Sequence, residues 1–588
     1  MKSVQKRWIN AGLLALLFIT ITMIGQKLTP KASAGSGCTV GGALIADTTW
    51  SPSACATYTA TGNVIINEGV TLTIAPGTTI RFDAGLGMTV RGTLKAIGTE
   101  GSPITFTSNN GSPAPADWSG IFFETTSISA DIDAAYNYMS GSIIQFSIIE
   151  YATNGVRMVY AAPYIANNTI TNNQRGILTD GLTVPGGYPL TVIRDNTISN
   201  NGGEQNGGGM YFGWGRRARI VNNLISHNSS TLRGGGVYID DTASGFVVSG
   251  NTIVHNVTST GNSYGEGAGI VAGGNLTLTN NIIAYNQAVG SQSSGGGVYF
   301  GGGTVTLVQG NLVMNNEAGY GAGLSYAITT MEGITRDNVI INNIASNTGG
   351  GVIFSFINNS ANLIFTHNSI YGNSANGAAN DVGTYNNSDR EDINAIENWW
   401  GTTSLATIES HIFHAVDDAN RALVLIQPIL TSSPSGVQTI STSGGTFNSS
   451  DGIVNLTVPA NATTESVTIH YSRLFTPTVA LPNNFQFALG FNMFAVKADG
   501  TAVTQFAQPL ILTINYPTDA VLSTMGIDEN DLTLIFWDGA QWQSAYPCVG
   551  CSLNAGQNRL TIVTDHFTEF ALVAEIPEYP VFLPMIVR

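Results

Sequence analysis

Asn251-Thr252-Ile253-Val254-His255-Asn256 decides how this chain folds, together with Gly267-Ala268-Gly269-Ile270-Val271-Ala272 eleven residues beyond it. Both elements recur. Asn-x-Ile/Val-x-x-Asn starts at Asn168, Asn196, Asn223, Asn251, Asn281, Asn311, Asn338 and Asn368, at intervals of 27 to 30 residues. It closes at Asn173, Asn201, Asn228, Asn256, Asn286, Asn316, Asn343 and Asn373, and Asn398-Trp399-Trp400 is a degenerate ninth copy. Small-residue triplets keep pace at 207–209, 234–236, 267–269, 295–297, 321–323 and 349–351. A fixed period of this length indicates one supersecondary unit per repeat, stacked on its neighbours.

The residues after each triplet reveal the unit. The first column is Met210, Val237, Ile270, Val298, Leu324 and Val352, and the third is Phe212, Ile239, Ala272, Phe300, Tyr326 and Phe354. The second begins Tyr211, Tyr238, Val271, Tyr299. Alternation of this kind predicts a half-buried β-strand, because successive side chains face opposite ways. One coil of short strands stacked on copies of itself is a parallel β-helix, with equivalent side chains about 4.8 Å apart. Like charges at that spacing repel by roughly 1 kcal/mol per pair even at the dielectric of water. Asn carries no charge, stacked amides bond along the stack, and Asn and Gly both suit tight corners. Only 10% of the residues are charged and 69 are Gly, in line with such ladders.

The segment from about 141 to 401 resembles the right-handed parallel β-helix family of secreted and surface bacterial proteins, of pectate-lyase-like fold. Asp47-Thr48-Thr49-Trp50, Gly69-Val70-Thr71-Leu72-Thr73-Ile74-Ala75-Pro76-Gly77, Gly92-Thr93-Leu94, Pro103-Ile104-Thr105-Phe106-Thr107-Ser108 and Trp118-Ser119-Gly120-Ile121 extend the likeness upstream. The resemblance implies a fold rather than an activity, since this fold hosts lyases, hydrolases, epimerases, adhesins and inert scaffolds.

The flanks set the compartment. Lys2, Lys6 and Arg7, an apolar run from Ala11 to Gly25, and Ala32-Ser33-Ala34 have the pattern of an export signal over 1–34. Its removal leaves 17 positive against 38 negative residues, an acidic chain with no expected membrane span. No Lys lies between Lys95 and Lys497, which argues against nucleic-acid binding. Outside the cytosol, two local disulfides, Cys38 with Cys55 and Cys548 with Cys551, are the simplest pairing. After a first tract of coils over 35–140 and the repeats to 430, residues 431–450 predict a Ser/Thr/Gly-rich linker. Short strands over 451–575 then predict a β-sandwich. Its Gly452-to-Pro459 stretch resembles ZU5-like domains, and a tail over 576–588 follows as a final edge strand or an anchoring tag.

Chemistry is less legible. Asp240-Asp241 is an adjacent acidic pair in the regular coils and the first suspect for catalysis, with Asp240 expected to face outward. No Gly-His-Gly or Arg-Ile-Lys motif of polygalacturonases is present. The Tyr column suits a binding groove better, since ring faces stack on apolar sugar faces while the hydroxyl stays wet. Tyr211, Tyr238, Tyr299 and Trp214 are therefore the candidate glycan-binding residues. Arg216 and Arg217, with Arg219, are placed to meet sugar carboxylates or sulfates. Arg233 and Glu266 are expected to pair between coils. His227 and His255 share a turn register and suggest no metal site. Ca²⁺ is the one cofactor with candidate ligands, at Asp528, Glu529 and Asp531, where a solvated turn is the alternative. The expectation is a secreted or surface monomer binding a polysaccharide or another surface component. An acidic-glycan lyase or hydrolase and a ligand-free stalk are the alternatives.

Overall fold

A computed structural model describes residues 37–576, apart from 181–188, 204, 214–215, 241–244, 259–263, 303–304, 328–331, 356–361 and 386–390. The stretch expected to be an export signal, Trp214, Asp241 and the tail from 577 lie outside the described residues. The chain forms a right-handed parallel β-helix followed by an antiparallel β-sandwich.

The first coil opens at Cys38–Leu44, paired in parallel with Tyr58–Ile66. Cys38 and Cys55 are bonded there, and Cys548 and Cys551 are bonded in the sandwich, with Cα–Cα distances of 5.6 and 5.2 Å. A regular coil is illustrated by Phe246–Ser249, Thr252–Val254, Val257–Thr258 and Ile270–Ala272. Each of these pairs in register with the coils before and after it. The stack closes with the short helix Leu405–Ser410 and the strand Ile412–Phe413.

Two kinds of ladder hold the coils. Ile170, Ile198, Ile225, Ile253, Ile283, Val313, Ile340 and Ile370 stack through the interior, all fully buried. Each such side chain contributes about 1.5–3 kcal/mol by leaving water. At the corners the repeated Asn residues point inward and are at most 2% exposed. Their amides satisfy one another. Asn228 donates from its backbone N and its Nδ2 to Asn256 Oδ1, both at 3.0 Å, and from Nδ2 to Ile198 O at 2.8 Å. The left-handed residue is the one before each ladder Asn, such as Asn222, His227, His255 and Tyr285, all at φ 56°. Sequence reasoning had joined the corner and the ladder in one residue; they are neighbours with separate tasks. The Gly triplets mark a close approach, since a Cβ on Gly209 would sit 2.5 Å from Gly236 O and 3.1 Å from the Asn228 amide.

The stretch expected to be a linker is mostly strand. Ser435–Ile440 pairs with Val467–Leu474, and Gly445–Asn448 with Val454–Val458, so the sandwich begins at 435. Both are edge strands, which need few apolar residues. Ile440 and Phe447 supply them, and the Ser and Thr residues around them face water. The six-stranded sheet is centred on Phe485–Val496 and Glu569–Glu575, and the other sheet has five strands.

The sandwich docks along one flank of the β-helix. Val496 packs with Val254, Ile282, Ala284, Leu312, Met314, Val339 and Ile341, which are outward residues of successive coils. Above them runs a ridge of left-handed corners. Asn280 Nδ2 donates to Thr478 Oγ1 at 2.9 Å and to Glu569 Oε2 at 2.7 Å, and Asn492 Nδ2 donates to Asn280 Oδ1 at 2.9 Å. Gln309 Nε2 donates to Thr476 O at 2.8 Å and to Asp337 Oδ2 at 2.7 Å. The His367 ring lies 4.2 Å from that of Phe475.

Candidate functional site

The strand after each Gly triplet carries the outward Tyr column, one face round the coil from the docked flank. In register along the stack stand Phe122, Arg157, Leu178, Tyr211, Tyr238, Val271, Tyr299, Ser325 and Ile353. The strands supply this order because parallel pairing without bulges keeps equivalent residues in line. Tyr211 and Tyr238 stack with centroids 5.2 Å apart and planes 8° apart. The Arg175 guanidinium lies 5.5 Å from the Tyr211 centroid and donates to the carbonyls of Gly207 and Asn206, both at 3.1 Å. Those fixed carbonyls hold the cation against the ring.

Charged residues rim the column. Arg157 and Asp180 pair at 2.7 Å, and the Arg157 guanidinium covers the Phe122 ring at 4.8 Å. Arg233 and Glu266 pair between coils at 2.7 Å, as expected from their register. Burial pushes the Glu266 carboxyl up, against the opposing pull of Arg233. Burial, and then the Glu266 charge, pushes the Tyr299 hydroxyl up to about 12. Tyr211 and Tyr238 are also raised, by burial first and then by the charge of Asp240. All three hydroxyls therefore stay protonated at neutral pH, able to donate and to accept.

Other expected site residues are placed differently. Asp240 is buried at 7% exposure rather than standing clear of the surface, and lies within electrostatic reach of Tyr211 and Tyr238. Arg216 is buried at 4% exposure, donates to Asp180 O and stacks on Tyr160 at 5.7 Å. Its guanidinium is engaged inside the fold, which corrects the expectation that it meets a ligand. Arg217 is exposed, and Arg219 turns to another face, 3.9 Å over Tyr136. Of the three Arg residues, Arg217 is the one fully exposed.

His227, His255 and Tyr285 form a ring stack with centroid distances of 5.0 and 5.2 Å, and His255 Nε2 contacts Asp499 O of the sandwich at 2.5 Å. Asp528 accepts from Asn530 N at 2.9 Å within the turn, and Glu529 accepts from Tyr516 Oη. Among the described residues, no group of three or more His, Cys, Asp or Glu is arranged to hold a metal ion. Sequence reasoning missed Arg175 and Arg157. Register with the Tyr column was the available signal for Arg157, but Arg175 precedes its column and needed coordinates.

Residues 42–134 match a family model described as a pectate-lyase-like β-helix domain, and residues 96–262 match a model of the right-handed β-helix region. No match was found among curated proteins. Among solved structures, the tailspike protein gp49 of Acinetobacter baumannii bacteriophage Fri1, a capsular polysaccharide depolymerase, aligns at 9% identity. That alignment covers 92% of this chain and 80% of the tailspike, with a TM-score of 0.16, a likeness too slight to bear on fold or function. Over residues 42–262 the chain is thus similar to right-handed β-helix proteins, and its chemistry has to be argued from its own side chains.

Proposed function

We propose that the protein is an exported β-helix protein that binds polysaccharide along the face bearing Tyr211, Tyr238 and Tyr299. The observation that carries this reading is the Tyr211–Tyr238 stack with Arg175 held against it. It presents apolar ring edges, half-buried hydroxyls and a fixed cation at a spacing set by the coils, the faces of Tyr211 being covered by Tyr238 and Arg175. A glycan chain can lie along such a line, its apolar C–H groups on the Tyr ring edges and its hydroxyls or acidic groups on Tyr Oη and Arg. The sandwich contacts described above all lie on the neighbouring flank. Export is supported by the leader-like first 34 residues and by the two disulfides. The sandwich, ZU5-like in its opening stretch, acts in this reading as a docked brace.

The test is retention of the full chain on a panel of neutral and acidic polysaccharides in affinity electrophoresis. Each ring removed costs about 1 kcal/mol, so the Tyr211→Ala/Tyr238→Ala/Tyr299→Ala variant should bind on the order of 100-fold more weakly. Unchanged retention in a folded triple variant discards this face. A second reading, an enzyme acting on acidic glycans, draws on Asp240 lying within electrostatic reach of both Tyr211 and Tyr238. New unsaturated-uronate absorbance or chain shortening during the same incubations would favour it.

A further inference from the structure

The docking of the sandwich leaves a cleft of about 640 Å³ between the two units, within the usual size range of small-molecule sites. The coil side is built from corner residues, including Asn222, Gly250 and Asn280. The sandwich side brings Asn492, Trp537 and His566. It is separate from the Tyr column, and nothing in the reading of that face depends on it.

Three polar atoms of residues that line it are buried and lack a hydrogen-bond partner: Asn492 Oδ1, Trp537 Nε1 and His566 Nε2. Asn492 is 1% exposed and Trp537 9%. Buried polar atoms are nearly always satisfied, and leaving one unpaired costs about 1–3 kcal/mol. Three around one cavity call for a partner that the chain does not supply. Their chemistry defines it. Indole Nε1 only donates, an amide Oδ1 only accepts, and imidazole Nε2 does either according to its tautomer. A carboxylate or phosphate could serve Trp537 but not Asn492. An ammonium could serve Asn492 but not Trp537. Hydroxyl groups serve both. Asp195, Asp538 and Glu569 line the same cleft, with Asp195 paired to Arg194 at 2.7 Å, which disfavours an anion further. Phe536, Trp537 and Phe567 add ring surface for the apolar face of a hydroxylated ring.

We propose that this interdomain cleft is a binding site for a neutral sugar of one or two rings, gripped by Trp537 Nε1, His566 Nε2 and Asn492 Oδ1. The experiment is saturation-transfer NMR and calorimetry on the full chain with D-galactose, D-mannose, N-acetyl-D-glucosamine and, as the anionic control, D-glucuronate, at millimolar concentration. At least one neutral sugar should bind, and glucuronate should bind more weakly. Trp537→Phe keeps the ring and removes the donor, and should weaken binding about five- to tenfold. His566→Ala should act in the same direction, and gives an independent reading should the first variant melt early. Tyr211→Ala/Tyr238→Ala should leave this binding unchanged, which separates the cleft from the outer face. The proposal is overturned if no neutral sugar binds, which makes the cleft a water-filled seam. It is equally overturned if glucuronate binds as tightly, or if both cleft variants, folded, bind like the parent chain.

Discussion

Two faces of the same coils have opposite fates. On the Tyr column, outward positions read Leu178, Tyr211, Tyr238, Val271, Tyr299, and most stay in partial contact with water. On the strand between the paired Asn residues, outward positions read Thr169, Thr197, Leu224, Thr252, Ile282, Leu312, Val339. Their companions two residues on read Thr171, Ser199, Ser226, Val254, Ala284, Met314, Ile341. The polar entries of the second face give way to apolar ones where the sandwich lies. Backbone and interior are alike behind both faces. In a solenoid, then, the inward residues specify the fold, and the outward residues specify what each face meets.

The largest effect should come from breaking what the two faces share. Asn256→Ala leaves Asn228 N and Nδ2 without their acceptor, and removes the donor to Ile225 O and to Asn286 Oδ1. With about 1–3 kcal/mol for each buried group left unpaired, we expect a loss of about 3 kcal/mol or more, visible in urea unfolding of the coils. The second prediction separates the faces. Leu312→Asp buries a charge under Val496 and should release the sandwich from an intact β-helix, seen as a larger radius of gyration in X-ray scattering with unchanged far-ultraviolet dichroism. Thr197→Asp, at the equivalent position outside the sandwich's apolar contact, should move stability by no more than about 0.5 kcal/mol. If Leu312→Asp stays docked, the apolar column is not what holds the two units together.

The smallest effect is a pH dependence confined to the docked face. Burial pushes the Asp337 carboxyl up to about 7, opposed by Gln309 and Arg336, and reinforced by Glu569, whose own carboxyl is raised by burial. A carboxyl raised in the docked state holds its proton more tightly there than when exposed. Docking stability should therefore be full below about pH 4 and decline as pH rises towards about 7, then level off. Proteolytic release of the sandwich, followed across that range, should increase with pH. Asp337→Asn should flatten the profile in part, with Glu569 supplying the remainder. A flat release profile would mean that water reaches these carboxyls, and one that falls towards high pH would mean that the docked state favours their ionised forms.

Much of this architecture was legible without coordinates, for a physical reason. Ladders force equivalent residues into register, so Asn, Ile and Gly repeat in the sequence at the period of the coil. The docked face was legible too, in the change from Thr197 and Ser199 to Ile282 and Ala284, but it needed the variable positions of the motif rather than the constant ones. Phe485–Val496 escaped notice because it is covered on both sides, by the sandwich core and by the coils. Phe-Asn-Met-Phe-Ala-Val over 491–496 accordingly shows no alternation to read. Asp240 and Arg216 were misplaced because alternation predicts the side a residue faces but not what stacks over it. The interdomain cleft could not be foreseen at all, since Asn222, Asn492 and Trp537 meet only through docking.

The inner amide row has a direction. From amide to amide, each Asn donates to the coil that follows, from Asn173 through Asn343 to Asn373, and Asn373 donates to Asp381 Oδ1 from backbone N at 3.0 Å and from Nδ2 at 2.9 Å. A carboxylate can receive but has nothing to pass on, and the other oxygen of Asp381 is engaged by His411 Nδ1 at 3.1 Å. This row therefore ends in an acceptor, one coil short of the closing strand Ile412–Phe413, while the row from Asn168 runs on to Asn398, whose amide donates to Phe365 O and Ala395 O. A relay of self-complementary steps, repeatable coil after coil, is halted in this row by exchanging one amide for an acid.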